Sequence, residues 1–361
     1  MNQKEKELFL ALCSFMEPDQ IKIERLIDKG AATPELLGYL FANRMAGVAY
    51  GVLEKTSLLA KTDREFRNSL YGAWKLNEKI NADYIGCLNY LSVQLNACGV
   101  PYALLKGAYL CGKYPVGFRT SNDIDVLISP DDVGKVSATL KLAGFKQGYL
   151  KNGTFVAATR QQIIESKMTR GETVPFIKEL KLPFIPYLEV DLNFSLDYKN
   201  GDESTIRAML ERTQNVNVRN AKIRTLSNCD FLLHLCSHLY KEATTVPWIR
   251  MKRDMTFYKF CDIYMILHEL TEEQIANLIA EAEDKYLMDE LAYCIHAVMQ
   301  FFALNNEILK QWKDTYVSRE DTDFTYVIAP TEKKTYSYIE KDIVKRFFAK
   351  DRMKLLSEVS K

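Results

Sequence analysis

Two aspartates alternate with apolar residues in the segment SNDIDVLIS at residues 121–129, and their spacing indicates metal chemistry. The pattern Asp123-Ile124-Asp125 is typical of a β-strand, in which side chains two residues apart share a face and their Cα atoms lie about 6.6 Å apart. Two carboxylates held that close repel by up to a few kcal/mol at an effective dielectric constant of about 20. A cation between them removes the repulsion, so the pair predicts a divalent metal site.

A second acidic pair follows about 65 residues later, in the segment YLEVDLNF at residues 187–194. Glu189 and Asp191 alternate with apolar residues and therefore share one face of a second predicted strand. If the two strands are neighbours, Asp191 completes a cluster of three carboxylates, while Glu189 is a fourth ligand, a salt-bridge partner or an exposed residue. Oxygen ligands in this number suit two Mg²⁺ or Mn²⁺ ions. Two such ions about 3.5–4 Å apart can clamp both oxygens of an in-line phosphoryl displacement.

A strand-to-helix turn at residues 104–108, with the sequence LLKGA, precedes the first acidic strand. Gly107 allows a phosphate to approach the backbone, where the start of a helix offers free N–H groups. Lys106 adds a positive charge beside that position. Arg119, four residues before Asp123, is either a further contact to a triphosphate or an ordinary surface cation.

The order of these motifs resembles the polymerase-beta-like nucleotidyltransferase superfamily. Within it, three segments resemble a bacterial family of uncharacterised nucleotidyltransferases: LLKGAYLCGKYPVGFRTSNDIDVLI, the helix that ends in AGF, and YLEVDLNFSL. The resemblance covers about residues 35–270. It implies that Asp123 and Asp125 bind both metal ions and that Asp191 is the third ligand and the base for the attacking hydroxyl. It also implies that Lys106 and Gly107 line the phosphates of a nucleoside triphosphate such as ATP.

Two departures from the family pattern concern the substrates. The superfamily usually has Gly-Ser or Gly-Gly where this chain has Lys106-Gly107, so a serine contact to phosphate is missing. The related bacterial family often has His-Trp after the third acid, where this chain has Asn193-Phe194. Neither departure removes an expected metal ligand.

The elements around the motifs predict an α+β protein with a polymerase-beta-like mixed sheet, flanking helices, and helical regions at both ends. Apolar residues at three-to-four spacing predict helices through residues 1–98, with Asp19, Thr33 and Asp63 as N-caps and one long helix over about 62–97. Strand patterns dominate residues 99–225, the expected catalytic core, and amphipathic helices resume over 226–361. A polar stretch at about 318–335 predicts a loop, and residues 334–359 predict one or two surface helices.

Composition narrows the class of protein. The 361 residues carry a net charge of +1, which disfavours a long nucleic acid as partner. Eight cysteines without a CxxC pair are typical of reduced thiols in a cytoplasmic protein. The charged start of the chain is unlike a signal peptide, and no apolar run is long enough to span a membrane, so we expect a cytoplasmic protein without a membrane partner.

The expected reaction is the metal-dependent transfer of a nucleoside monophosphate from a triphosphate to a small molecule, peptide or protein, with release of pyrophosphate. One alternative is a degenerate nucleotidyltransferase fold with a binding or regulatory role, and another is a tRNA-modifying enzyme of the toxin type. A metal phosphohydrolase is less favoured because the chain has four histidines and none is close in sequence to the acidic strands. His234 and His238 lie four apart on a predicted helix, a spacing that zinc ligands use, but core or cleft-lining histidines explain it better.

Overall fold

The computed structural model describes residues 1–196, 203–304, 306–319 and 322–359. Two compact units form within these residues. One consists of Met1–Trp74 with Leu232–Lys361, and the other is Lys75–Phe231. The predicted domain boundaries at 98/99 and 225/226 stay a prediction, since compactness alone does not define an independently folding domain.

Helices and strands alternate in the middle of the chain, and helices dominate on either side. The helices are α1 (Gln3–Cys13), α2 (Gln20–Asp28), α3 (Pro34–Ala42), α4 (Ala46–Lys55), α5 (Arg64–Cys98), α6 (Gly107–Lys113), α7 (Val133–Leu142), α8 (Arg160–Arg170), α9 (Glu203–Glu211), α10 (Asn228–Ala243), α11 (Val246–Arg250), α12 (Tyr258–Glu269), α13 (Glu272–Asp284), α14 (Met288–Phe301), α15 (Glu307–Val317) and α16 (Ile343–Phe348). The strands are β1 (Tyr102–Leu104), β2 (Asp123–Ile128), β3 (Lys146–Lys151), β4 (Thr154–Ala157), β5 (Phe176–Glu179), β6 (Tyr187–Asn193), β7 (Gln214–Val218), β8 (Ala221–Thr225), β9 (Tyr326–Ala329), β10 (Lys334–Tyr338) and β11 (Leu356–Glu358).

The unit at residues 75–231 is built on a six-stranded sheet of order β1-β2-β6-β5-β3-β4. The pair β2–β6 is parallel, and the other neighbouring pairs are antiparallel, so the sheet is mixed. Along β6, Leu188, Val190 and Leu192 are buried while the residues between them are partly exposed. This alternation presents one face of the sheet to the core and leaves the acidic face accessible. The mixed α+β class predicted from the sequence is confirmed.

Local sequence signals explain most helix boundaries in the other unit. Asp19 and Thr33 cap α2 and α3 by accepting hydrogen bonds from backbone N–H groups, as predicted. The apolar segment at residues 34–55 forms two helices rather than one, because the chain turns at Arg44, whose φ is 57°. Among the described helices, no single one is long and apolar enough to cross a membrane, and α3 with α4 qualifies by length and composition only as a pair bent by 118°.

The end of the chain differs from the sequence prediction. The predicted loop at 318–335, whose residues 320 and 321 lie outside the described residues, contains β9 and the start of β10. The predicted surface helices at 334–359 are instead β10, the six-residue helix α16 and β11. The prediction of surface helices was wrong, because the alternating segment KTYSY is a strand pattern and because Ile343 and Phe347 of α16 are buried. Phe347 packs against Phe9 and other rings of the core.

Candidate functional site

The two acidic strands are direct neighbours in the sheet, which is the condition for a shared site. In the parallel pair β2–β6, Asp123 lies opposite Glu189 and Asp125 lies opposite Asp191. Neighbouring strands are about 4.8 Å apart, so four carboxyl groups crowd one small area of one face. Ile124 of β2, which points to the opposite face, is fully buried in the core. The fold therefore aligns the two acidic patterns, which lie far apart in the sequence, residue by residue on one face of the sheet.

Lys106 supplies a positive charge inside this acidic cluster. Its Nζ lies 2.9 Å from Oδ1 of Asp125, and both side chains are largely buried, with 20% and 10% of their surfaces exposed. Asn193 Nδ2 donates to the same oxygen at 3.3 Å. Lys106 has φ 44° and ψ −117°, a conformation that is strained for a residue with a side chain. Such strain persists only where the surrounding structure enforces it, and it is concentrated at functional sites.

Gly107 is the point where the turn after β1 meets the segment that leads into β2. A Cβ at position 107 would lie 2.4 Å from both Cβ and Oγ of Ser121 and 3.2 Å from the Tyr84 hydroxyl. Ser121 Oγ in turn donates to Oδ1 of Asp123 at 3.0 Å. The Tyr84 hydroxyl donates to the Asp123 backbone carbonyl at 2.9 Å. The missing side chain at Gly107 therefore allows Ser121 and Tyr84 to hold Asp123 in place.

The carboxyl groups perturb one another. Burial, followed by the neighbouring charges of Asp125 and Asp123, raises the pKa of Asp191 well above its usual range. Burial and the charges of Asp123 and Asp125 also raise the pKa of Glu189. Both shifts have the sign expected for acids crowded in a partly dehydrated place. A divalent cation would offset the crowded negative charge.

The donor set suits a hard divalent cation. Oxygen ligands from Asp123, Asp125 and Asp191 are of the type that Mg²⁺ and Mn²⁺ prefer, and Lys106 pairs with Asp125 among the four acidic side chains. Within the described parts of the chain, no three acidic, histidine or cysteine side chains already form a group arranged to hold a metal ion. The Lys106 ammonium group lies 2.9 Å from an Asp125 oxygen that a metal ion would need.

Arg119 and the histidine pair were also predicted as candidate functional residues. Arg119 is buried rather than on the surface, with 8% of its surface exposed, and it donates to the carbonyl of Thr120 at 3.1 Å. Its contact with a nucleotide stays a prediction. His234 and His238 stack on α10 with ring centroids 6.3 Å apart, and His238 Nε2 lies 3.4 Å from Glu242. His234 is buried, in agreement with the interpretation as a core histidine.

Sequence reasoning missed two residues that contact the acidic pair, Ser121 and Asn193. Ser121 precedes Asp123 by two residues and Asn193 follows Asp191 by two. The period-2 rule that identified the carboxylates places Asn193, the last residue of β6, on the same face, whereas Ser121 lies two residues before the start of β2. The contact of Tyr84 with Asp123, in contrast, joins residues 39 positions apart and has no local signal.

The comparison with protein-family models agrees with the motifs. The sequence model of a family described as uncharacterised nucleotidyltransferase matches residues 30–303. None of the curated proteins matches the chain. Among solved structures, an antigenic nucleotidyltransferase-like protein from Paracoccidioides brasiliensis matches with 16% sequence identity and a TM-score of 0.32, over 57% of this chain and 92% of that one. A similarity at that TM-score is too low to support a conclusion about this chain.

Proposed function

The chain belongs to the uncharacterised nucleotidyltransferase family, and from this membership we propose that it is a metal-dependent enzyme that transfers a nucleoside monophosphate from a nucleoside triphosphate to an acceptor. Pyrophosphate leaves in this reaction. The observation that supports the proposal most strongly is the register of β2 and β6, which sets Asp125 directly beside Asp191 on one face of the sheet. Carboxyl groups crowded on adjacent strands repel one another when they are ionised, and a divalent cation would offset that repulsion.

In this proposal each residue of the site has a defined role. Asp123, Asp125 and Asp191 hold one or two Mg²⁺ or Mn²⁺ ions. Bound divalent ions lower the pKa of an attacking hydroxyl and neutralise charge on the leaving pyrophosphate. Asp191 also accepts the proton of the attacking hydroxyl as general base. Ser121 fixes the orientation of Asp123.

The phosphates are bound on the side of β1. Lys106 lies on the strained turn between β1 and α6, Gly107 is the first residue of α6, and Arg119 lies in the segment that leads into β2. Positively charged groups there would position the triphosphate of ATP or another nucleotide for in-line attack. The proposed acceptor is a small molecule, a peptide or a protein in the cytoplasm, because a net charge of +1 gives no broad basic surface for a long nucleic acid.

The test is transfer of a labelled nucleotide. Purified protein is incubated with each α-³²P-labelled nucleoside triphosphate, Mg²⁺ and a metabolite extract, and products are identified by mass spectrometry. We expect one product that is heavier by a nucleoside monophosphate, and a loss of about a hundredfold or more in rate for Asp123→Asn. Asp131→Asn is the matched control, because Asp131 is an exposed aspartate of the same unit that pairs with Arg207. Equal rates for the two variants would contradict the proposal.

One observation favours a second candidate, a nucleotide-binding regulator without transfer activity. The Lys106–Asp125 ion pair satisfies a proposed metal ligand with a protein cation. If that pair is permanent, the protein binds nucleotides but no divalent ion at Asp125. Nucleotide binding that is unaffected by Mg²⁺, together with no labelled product, would select this candidate.

A further inference from the structure

Lys106 can pair with two anions of the proposed reaction, the Asp125 carboxylate and the phosphates of the nucleotide. We propose that Lys106 neutralises Asp125 while the site holds no metal, and that it moves to the phosphates of the nucleotide when Asp125 binds a metal ion. Lys106 is thus a positioning residue that couples metal binding to nucleotide binding. The inference rests on the proposed function, since it requires that Asp125 is a metal ligand.

The contact with Asp125 and a metal contact exclude one another. Lys106 Nζ lies 2.9 Å from Oδ1 of Asp125, and Asn193 donates to the same oxygen, so that oxygen already has two hydrogen-bond donors. A divalent ion on this oxygen would stand within contact distance of the ammonium group, and like charges at that distance repel strongly in a partly buried site. The ammonium group must therefore leave before, or as, Asp125 binds a metal ion.

The base of the side chain is fixed while its charged end can change position. The Lys106 carbonyl accepts from the N–H of Leu110 at 3.0 Å, and the neighbouring Leu105 N–H donates to the Asp125 carbonyl at 3.0 Å. These bonds fix the strained backbone of the turn beside β2. A lysine ammonium group, however, is a point charge on a flexible four-carbon stem and has no fixed bonding geometry. With 20% of the Lys106 side chain exposed, part of this stem already reaches solvent.

Charge balance gives the direction of the coupling. Without metal, Lys106 offsets one of four acidic side chains. With one or two divalent ions bound, the site no longer needs the lysine charge, which then becomes available for a triphosphate. Metal ions and nucleotide therefore bind with positive cooperativity, and by linkage each tightens the other by the same factor.

The experiment measures Mn²⁺ binding by electron paramagnetic resonance in the 361-residue protein without nucleotide. Lys106→Met removes the competing charge and keeps the apolar stem, so we expect Mn²⁺ to bind at least about tenfold tighter than to the wild type. Lys106→Arg keeps the charge and is expected to stay close to the wild type. Lys113→Met is the matched control, because it removes the same charge from the last residue of α6, the helix that begins directly after Lys106. We expect it to leave Mn²⁺ affinity within about twofold of the wild type.

A second measurement tests whether Lys106 contributes to phosphate binding once the metal site is occupied. At saturating Mn²⁺, inorganic tripolyphosphate is titrated into wild type, Lys106→Met and Lys113→Met, and we expect at least about tenfold weaker binding for Lys106→Met alone. Equal Mn²⁺ affinity in wild type and Lys106→Met would overturn the coupling and leave the metal site intact. Absence of Mn²⁺ binding in both proteins would overturn the proposed function itself. The two failures are therefore distinguishable.

Discussion

The contact between Gly107 and Ser121 makes a sharp prediction for the substitution Gly107→Ala. The added methyl group would lie 2.4 Å from two atoms of Ser121, where ordinary contacts begin near 3.4 Å. Ser121 cannot move away freely, because its hydroxyl donates to Asp123 at 3.0 Å. We therefore expect Gly107→Ala to displace Ser121 and to disturb the orientation of Asp123.

The magnitude follows from two contributions. Forcing a methyl group into a filled space costs about 1–3 kcal/mol. Loss of a hydrogen bond to a charged carboxylate costs about 1.5–3 kcal/mol. Relaxation of the turn offsets part of the sum, so we expect a local destabilisation of about 2–4 kcal/mol. In an open helix position the same exchange would instead stabilise by up to about 1 kcal/mol, because alanine favours helices over glycine.

Hydrogen exchange is the suitable assay, because it reports local free energies without assuming that the whole chain unfolds in one step. Amide exchange of residues 107–128 is measured by mass spectrometry in the wild type and in Gly107→Ala. Gly134→Ala on α7 is the control, since a Cβ at Gly134 meets no atom within 4 Å. We expect faster exchange in β2 for Gly107→Ala and no acceleration for Gly134→Ala.

A double-mutant cycle tests the stated cause. Ser121→Gly removes both atoms that the new methyl group would strike, so in that background Gly107→Ala should cost less than about 1 kcal/mol. If Gly107→Ala proves neutral in the wild-type background, or equally costly in both backgrounds, then the Ser121 side chain does not fill the space over Gly107 and the predicted clash is wrong.

Three further predictions concern stability. Tyr84→Phe removes the hydrogen bond to the Asp123 carbonyl and should lower the local opening free energy of β2, measured by hydrogen exchange, by about 1 kcal/mol. An unchanged exchange rate would show that this hydrogen bond does not form. Because its pKa is raised, Asp191 holds a proton in the folded state that the unfolded chain releases, so the stability of metal-free protein should fall as the pH rises from about 4 towards the raised pKa. Asp191→Asn should reduce that slope in urea unfolding measured at several pH values, and an unchanged slope would rule out this source. Arg352→Met removes the two hydrogen bonds of 2.6 Å that the fully buried Asp254 accepts from Arg352, and it should destabilise its unit by about 3–5 kcal/mol in thermal unfolding. A loss of stability below about 1 kcal/mol would contradict a buried ion pair.

The acidic face was predictable because its signal is local. Alternation places Asp123 with Asp125, and Glu189 with Asp191, on common faces by strand geometry alone. That β2 and β6 are neighbours was a condition of the prediction, and the parallel register confirms it. The predicted resemblance to a nucleotidyltransferase family is confirmed by the match over residues 30–303, while the roles of the individual side chains stay proposals.

The remaining features depend on tertiary contacts that spacing does not encode. The strained backbone of Lys106 and its contact with Asp125 join residues 19 positions apart. The fit of Ser121 over Gly107 depends on how the turn and the strand approach each other. The strands β9 and β10 were missed for another reason, because polar and charged residues surround a short alternating pattern.

A crystal structure of the protein soaked in Mn²⁺, with anomalous scattering used to locate the ion, would test the proposed metal site most directly. We predict an anomalous peak bounded by carboxylate oxygens of Asp123, Asp125 and Asp191, with Lys106 Nζ displaced from Asp125. No peak at these carboxylates, with Lys106 still bonded to Asp125, would contradict the metal-dependent mechanism.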